Sequence, residues 1–161
     1  MKRITSLALL LLVTISTFAK APAGKHTVLK GDIVSVSYGQ PAKGDKGATP
    51  VNGTIFRNGV GEPTLVTLSV GCLFAGRQVN PGTYSLLAVP GKDEWEIILN
   101  KVTDNAENFN YEGIKEQNIL DGQATVTQVD KKVDAFSIEL NVDGIVLCYG
   151  NNHVNIQIRP F

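Results

Sequence analysis

Two oppositely charged side chains, Arg57 and Glu62, stand at the edge of a glycine-rich stretch and are the residues best suited to binding chemistry. Residues 39–63 contain six glycines, and a glycine-rich backbone can approach a ligand closely. A guanidinium and a carboxylate hold small polar groups through charge-assisted hydrogen bonds. Tyr38, just before this loop, is expected to add an aromatic wall. Arg57, Glu62 and Tyr38 are therefore the candidate ligand site, while a solvated ion pair that only pins the loop is the favoured interpretation.

The other polar residues form no catalytic or metal-ligating motif. His26 and His153 are the only histidines, and neither has a second ligand at suitable spacing, so neither a metal nor a cofactor is predicted. Gly39 and Gly44 have the spacing of a phosphate-binding loop, but Asp45 stands where the lysine belongs, and a tight turn is favoured. No serine has the sequence context of a nucleophile elbow, and no catalytic residue is assigned. The sequence therefore leans against an enzyme.

Three carboxylates, Asp93, Glu94 and Glu96, surround Trp95 and suggest a sugar platform with paired acids. Strand alternation instead places Trp95 on the same face as Ile97. Burial of the tryptophan in the core is the favoured interpretation, with the acids in a turn and on a solvated face.

The two cysteines, Cys72 and Cys148, allow either a disulfide or two buried thiols. An oxidising compartment would favour pairing. Cys72, however, continues the alternation of Leu68 and Val70, as a buried thiol would. Unpaired thiols are slightly favoured.

The N-terminus has the three-part layout of a secretory signal peptide. Lys2 and Arg3 precede an apolar run at Leu7–Val13, and small residues lead to a cleavage site near Ala19. The apolar run is too short for a transmembrane helix. We expect residues 1–19 to be removed and the mature protein to be periplasmic or extracellular.

Net charge argues against nucleic acid as a partner. Loss of residues 1–19 removes Lys2 and Arg3, which leaves 13 basic and 15 acidic side chains, a net charge of −2. Binding to nucleic acid or to an anionic membrane needs a basic patch, and the sequence has none.

Short β-rich segments follow one another at intervals of about 8–12 residues, separated by turn residues, which predicts an all-β antiparallel sandwich, jelly-roll-like, of about eight to ten strands. The expected organisation is a signal peptide over 1–19, an N-terminal lead-in over 20–31 and one β-sandwich domain over 32–161. Residues 101–120 are polar and predict at most one or two helical turns. Asp143-Gly144 predicts a two-residue hairpin turn with positive φ angles. The predicted core comprises Val66, Leu68, Val70, Leu86, Trp95, Ile97, Leu99, Ile138, Leu140, Val154 and Ile156.

Several motifs occur in an order that resembles a known family. These are Pro81–Leu86, Val89–Gly91, Glu94–Asn100, Asn108–Tyr111 and Tyr149–Val154. Together they resemble the domain of unknown function 2911, a bacterial exported family. The resemblance implies export and a β-sandwich but no activity.

The chain departs from this family beside the predicted ligand site. The family's Trp-Arg-Thr-Gly-Ala-Asn-Glu-like stretch reads Phe56–Glu62 here, with Gly61 in place of its Asn, and Gln40 replaces an Arg. If these polar residues line a family site, part of it is lost in this chain.

Three function classes follow. The first is a non-catalytic binding or interaction module of the cell envelope, whose partner is a small polar ligand or an envelope protein; this class is favoured. The second is a hydrolase acting on an envelope polymer or a small polar substrate, and the third is a structural envelope component. The sequence leaves the oligomeric state open between a monomer and a weak oligomer.

Overall fold

The computed structural model describes residues 24–104 and 109–161, so the predicted signal peptide lies outside the described residues. The strands are β1 (Lys25–Lys30), β2 (Val34–Gln40), β3 (Leu65–Leu68), β4 (Cys72–Phe74), β5 (Arg77–Val79), β6 (Gly82–Val89), β7 (Glu94–Asn100), β8 (Asn118–Asn141) and β9 (Gly144–Pro160). A single helical turn, α1 (Tyr111–Ile114), continues into a 3-10 turn over Lys115–Gln117. The predicted all-β sandwich is confirmed, and the described part of residues 101–120 contains helical turns only at Tyr111–Ile114 and Lys115–Gln117.

Hydrogen bonds join the nine strands in the order β1-β2-β3-β6-β7-β8-β9-β4-β5, and every neighbouring pair is antiparallel. This ribbon folds over because the β8–β9 hairpin is long and bends where its register shifts, between Gln128 and Ser137. The tip of the hairpin thereby returns to the far end of β9, where the Ile158 amide donates to the Asp143 carbonyl over 2.8 Å. The β8–β9 hairpin therefore contributes to both layers.

One apolar core lies inside the fold. Phe56 packs edge-on against Trp95 and Phe136, with ring centroids 6.2 and 5.1 Å away. Trp95 is 3% exposed, so its predicted burial is confirmed. Most of the predicted core residues are buried, and Leu140 packs against the core from a half-buried position.

Three details differ from the sequence prediction. Val70 is 41% exposed and not in the core, because β3 ends at Leu68 and the chain turns before β4. The turn of the β8–β9 hairpin lies one residue earlier than predicted, at Val142-Asp143, and neither residue has a positive φ. The side chain of Asn141 stabilises this turn instead, because its Oδ1 accepts hydrogen bonds from the amides of Asp143 and Gly144.

The N-terminal lead-in also contains a strand that the sequence did not predict. Strand β1 pairs with β2 over its full length, from Lys25 opposite Gln40 to Lys30 opposite Ser35. This edge strand has a largely polar sequence without a clear alternation of apolar and polar residues, so the sequence pattern did not indicate it. Within residues 24–104 and 109–161, no helix is long and apolar enough to cross a membrane.

Candidate functional site

The predicted site residues Arg57 and Glu62 lie in an excursion of the chain, Phe56–Thr64, which we call the edge turn. Its two ends are fixed to strand β6. Phe56 and Ala88 exchange backbone hydrogen bonds of 2.7 and 2.9 Å, and the Leu86 amide donates to the Thr64 carbonyl over 2.8 Å. Strand β3 covers only the first half of β6, so the edge turn continues the pairing along the rest. Between the two anchors the chain stays hydrogen-bonded to β6 and to β2.

Asn58 organises the inside of the edge turn. It is fully buried and adopts φ 56°, a left-handed conformation that asparagine tolerates better than most residues. Its Nδ2 donates to the Leu86 carbonyl over 2.9 Å, and its own carbonyl accepts the hydroxyl of Thr64 over 2.7 Å. Within the described residues, its Oδ1 atom is buried without a hydrogen-bond partner. The edge turn thus contains an acceptor that still needs a donor.

A close approach of two backbones holds the edge turn against strand β2. The Val60 amide donates to the Gly39 carbonyl over 2.9 Å. A Cβ atom on Gly39 would lie 1.7 Å from the Val60 carbonyl oxygen, a contact that no side chain permits. Gly39 is therefore required for the edge turn to reach β2.

Arg57 is half-buried, and its guanidinium carbon lies 4.8 Å from the ring centroid of Phe109. This cation–π contact joins the edge turn to the segment between β7 and β8. Burial lowers the pKa of the Arg57 guanidinium, because desolvation disfavours its charge. The arginine still carries a positive charge at neutral pH.

Glu62 interacts with strand β1. Both of its carboxylate oxygens lie within hydrogen-bonding distance of His26 Nδ1, at 2.8 and 3.0 Å. The His26 side chain is 61% exposed and that of Glu62 35% exposed, so the pair contributes little to stability. The hydrogen bonds to His26 orient the Glu62 carboxylate within the edge turn.

Tyr38 lies in the core, with 1% of its surface exposed. Its hydroxyl oxygen accepts a hydrogen bond of 3.3 Å from the Ile138 amide, and burial raises the pKa of the phenol. A side chain in this position faces strand β8 and not an open site. Tyr38 therefore does not form the aromatic wall expected from the sequence.

The sequence did not single out Asn58, His26 and Phe109 as members of this site. The dipeptide Asn58-Gly59 is a turn signal, and it could have indicated the left-handed residue. Nothing in the sequence pairs His26 with Glu62, because they are 36 residues apart and meet only through the fold.

The remaining candidates take structural positions. Cys72 and Cys148 are free and buried, as favoured from the sequence. Asp45 caps a tight turn, since its Oδ1 accepts the Gly47 amide over 2.9 Å. Within residues 24–104 and 109–161, no group of three or more side chains could hold a metal ion.

The fold and this site define an all-β sandwich with a charged turn that continues the pairing of β6 beyond the end of β3. The family model described as "Protein of unknown function (DUF2911)" matches residues 21–158, and the chain belongs to this family. Neither the curated proteins nor the solved structures include a significant match to the chain.

Proposed function

We propose that the protein is an exported, non-catalytic binding or interaction module of the cell envelope, and that the edge turn binds its small polar ligand. The observation that carries this proposal is the buried Oδ1 atom of Asn58, which has no hydrogen-bond partner among the described residues. Leaving a buried acceptor unpaired costs about 1–3 kcal/mol. A hydroxyl or amine of a ligand that donates a hydrogen bond to this oxygen removes that cost.

The charges beside Asn58 support a ligand that carries both donors and acceptors. Arg57 precedes Asn58 and Glu62 follows it within the same turn, and both residues are half-buried. Each side chain is already oriented, Arg57 by Phe109 and Glu62 by His26, which lowers the entropic cost of binding. The edge turn is therefore pre-organised for a small polar molecule.

Binding is supported over hydrolysis by the contacts of the one histidine in the site. Within the part of the chain that the structure describes, the His26 ring hydrogen-bonds to Glu62 alone. A serine, threonine or cysteine nucleophile would have to contact its base, and among the described residues none is hydrogen-bonded to His26. The His26–Glu62 pair thus holds the Glu62 carboxylate in one orientation, and we assign this pair a role in binding.

A thermal-shift screen of small polar compounds tests this function. We compare the wild type with Arg57→Ala and Glu62→Ala, and use Arg77→Ala and Glu94→Ala as controls because both of these residues are exposed and lie outside the edge turn. Compounds that stabilise the wild type should stabilise the controls equally and lose most of their effect on the two edge-turn variants. Full stabilisation of both edge-turn variants would refute the proposal.

A further inference from the structure

A cavity of about 520 Å³ opens at the other end of strand β2 from the edge turn. One wall is the connection between β1 and β2, Lys30–Val34. The opposite wall is the tip of the β8–β9 hairpin, and Ile158 near the end of β9 lies between them. The volume falls within the range of about 300–1,000 Å³ that is typical of small-molecule sites.

Hydrogen bonds fix both walls of this cavity. The Gly31 amide donates to the Val34 carbonyl over 2.8 Å and closes the β1–β2 connection. Asn141 Oδ1 accepts the amides of Asp143 and Gly144, both over 2.9 Å, and holds the hairpin tip. A cavity with fixed walls is pre-formed, so a ligand need not order them.

The cavity is lined by polar and apolar groups in similar measure, and its apolar side chains are all aliphatic. Its apolar side chains are those of Ile33, Val34, Leu140, Val142 and Ile158, and its lining contains no aromatic residue. Sugars and nucleobases are held largely by stacking on aromatic rings, which this lining lacks. The lining instead favours a branched aliphatic group, whose burial contributes about 0.8 kcal/mol for each CH₂.

Two opposite charges stand at the mouth of the cavity. Lys30 and Asp32 both line it, are exposed and are separated only by Gly31. Asp32 disfavours a purely anionic ligand, and Lys30 disfavours a purely cationic one. A ligand with one ammonium and one carboxylate satisfies both residues.

We propose that this cavity binds a free aliphatic amino acid or a short aliphatic peptide in its zwitterionic form. Asp32 receives the ammonium group, Lys30 receives the carboxylate, and the branched side chain packs between Leu140 and Ile158. This inference uses none of the contacts of the edge turn, so the two sites stand or fall separately.

Calorimetric titration with the dipeptide Leu-Leu tests the proposal, with free leucine as the second probe. N-acetylated Leu-Leu removes the ammonium, the C-terminal amide removes the carboxylate, and octanoate keeps an aliphatic chain without an ammonium. We expect Leu-Leu or leucine to bind, and each cap to weaken the binding about 1.5-fold to fivefold, as the loss of one exposed ion pair does. Octanoate should bind more weakly than the zwitterion.

Variants link the binding to the cavity. Lys30→Ala and Asp32→Ala should each weaken the binding of the zwitterion by about 1.5-fold to fivefold. Lys25→Ala, at the other end of β1, and Asp130→Ala, in the bent part of β8, are exposed controls that should leave the affinity unchanged. Absence of binding, equal binding of octanoate, or full affinity in both cavity variants would overturn the proposal. Self-association of the ligand-free protein through the cavity would overturn it as well.

Discussion

Asn58 combines three properties at one position: a left-handed backbone, a buried amide that donates to the Leu86 carbonyl, and an Oδ1 atom without a partner in the described structure. Asparagine suits this position because its side chain tolerates positive φ and hydrogen-bonds locally. The first two properties stabilise the edge turn, and the third is an acceptor that a ligand donor satisfies only if the turn opens towards it. Asn58 thus contributes both to the structure of the edge turn and to its proposed function.

Substitution of Asn58 separates these contributions. Asn58→Gly keeps the left-handed backbone and loses the hydrogen bond to Leu86, which we expect to cost about 1–2 kcal/mol. Asn58→Ala should cost about 1 kcal/mol more, because its Cβ disfavours positive φ. Urea unfolding measures both values. Equal stability of the two variants would show that the left-handed backbone is not under strain.

Cys148 provides a pH-dependent contribution to stability. Burial raises the pKa of its thiol from the ordinary 9.0 to about 11, with a smaller contribution from Glu139. The folded protein therefore keeps the proton at a pH at which the unfolded chain releases it. The stabilisation is complete below pH 9 and is lost as the pH rises towards about 11.

The variant Cys148→Ala tests this dependence. Its free energy of unfolding should be lower than that of the wild type at pH 8, because a buried group has been truncated. The difference should be constant between pH 7 and 8 and should narrow as the pH rises from 9 to 10.5. Urea unfolding at each pH measures it, and a difference that widens above pH 9 would contradict the burial of the thiol.

At the scale of elements, the segment between β7 and β8 is held to the sheet by one buried side chain. Asn100 Nδ2 donates to the Ile114 carbonyl and to Asn118 Oδ1, and Asn100 Oδ1 accepts the Val102 amide, each over 2.8 Å. This segment also presents Phe109 to Arg57. Asn100 thus positions one side of the candidate site from a distance.

Asn100→Ala should release this segment. The substitution leaves several polar groups without partners, so we expect a loss of about 2–4 kcal/mol in the free energy of unfolding. Hydrogen exchange at the Lys101 and Val102 amides should accelerate. Exchange of the β9 amides should accelerate only by the factor that corresponds to the loss in the global free energy of unfolding.

Asn155→Ala is the matched control, because Asn155 is only half-buried and its amide donates two long hydrogen bonds, of 3.2 and 3.4 Å, to Thr127 and His153. It should cost less than about 1 kcal/mol. Equal effects of the two asparagine substitutions would contradict the positioning role of Asn100.

At the scale of the whole molecule, the sequence predicted the strands with clear alternation and a core around Trp95. It missed β4 and β5, because three residues are too few for an alternation, and it placed Val70 inside by extending β3 across a turn. It identified the charged residues of the edge turn but not their partners. His26 meets Glu62 across 36 positions and Tyr38 meets Ile138 across 100, and only the fold determines such contacts.

Export is a second property of the whole chain, and it remains a prediction from residues 1–19. We expect the protein recovered from the periplasm or the medium of the native host to begin near Lys20. Intact-mass measurement of that protein checks the cleavage site. Recovery with Met1 retained would contradict the signal peptide.

Amide chemical-shift mapping of a compound from the polar screen tests the edge turn as the ligand site most directly. We predict that the largest changes fall on Arg57, on Gly59 and on the side-chain amide of Asn58, with smaller changes at His26. The Asn58 side-chain protons should respond because a donor reaches the adjacent Oδ1 atom. Changes that leave residues 56–64 untouched, or that concentrate on the cavity between Lys30 and Asn141, would contradict the assignment of the ligand to the edge turn.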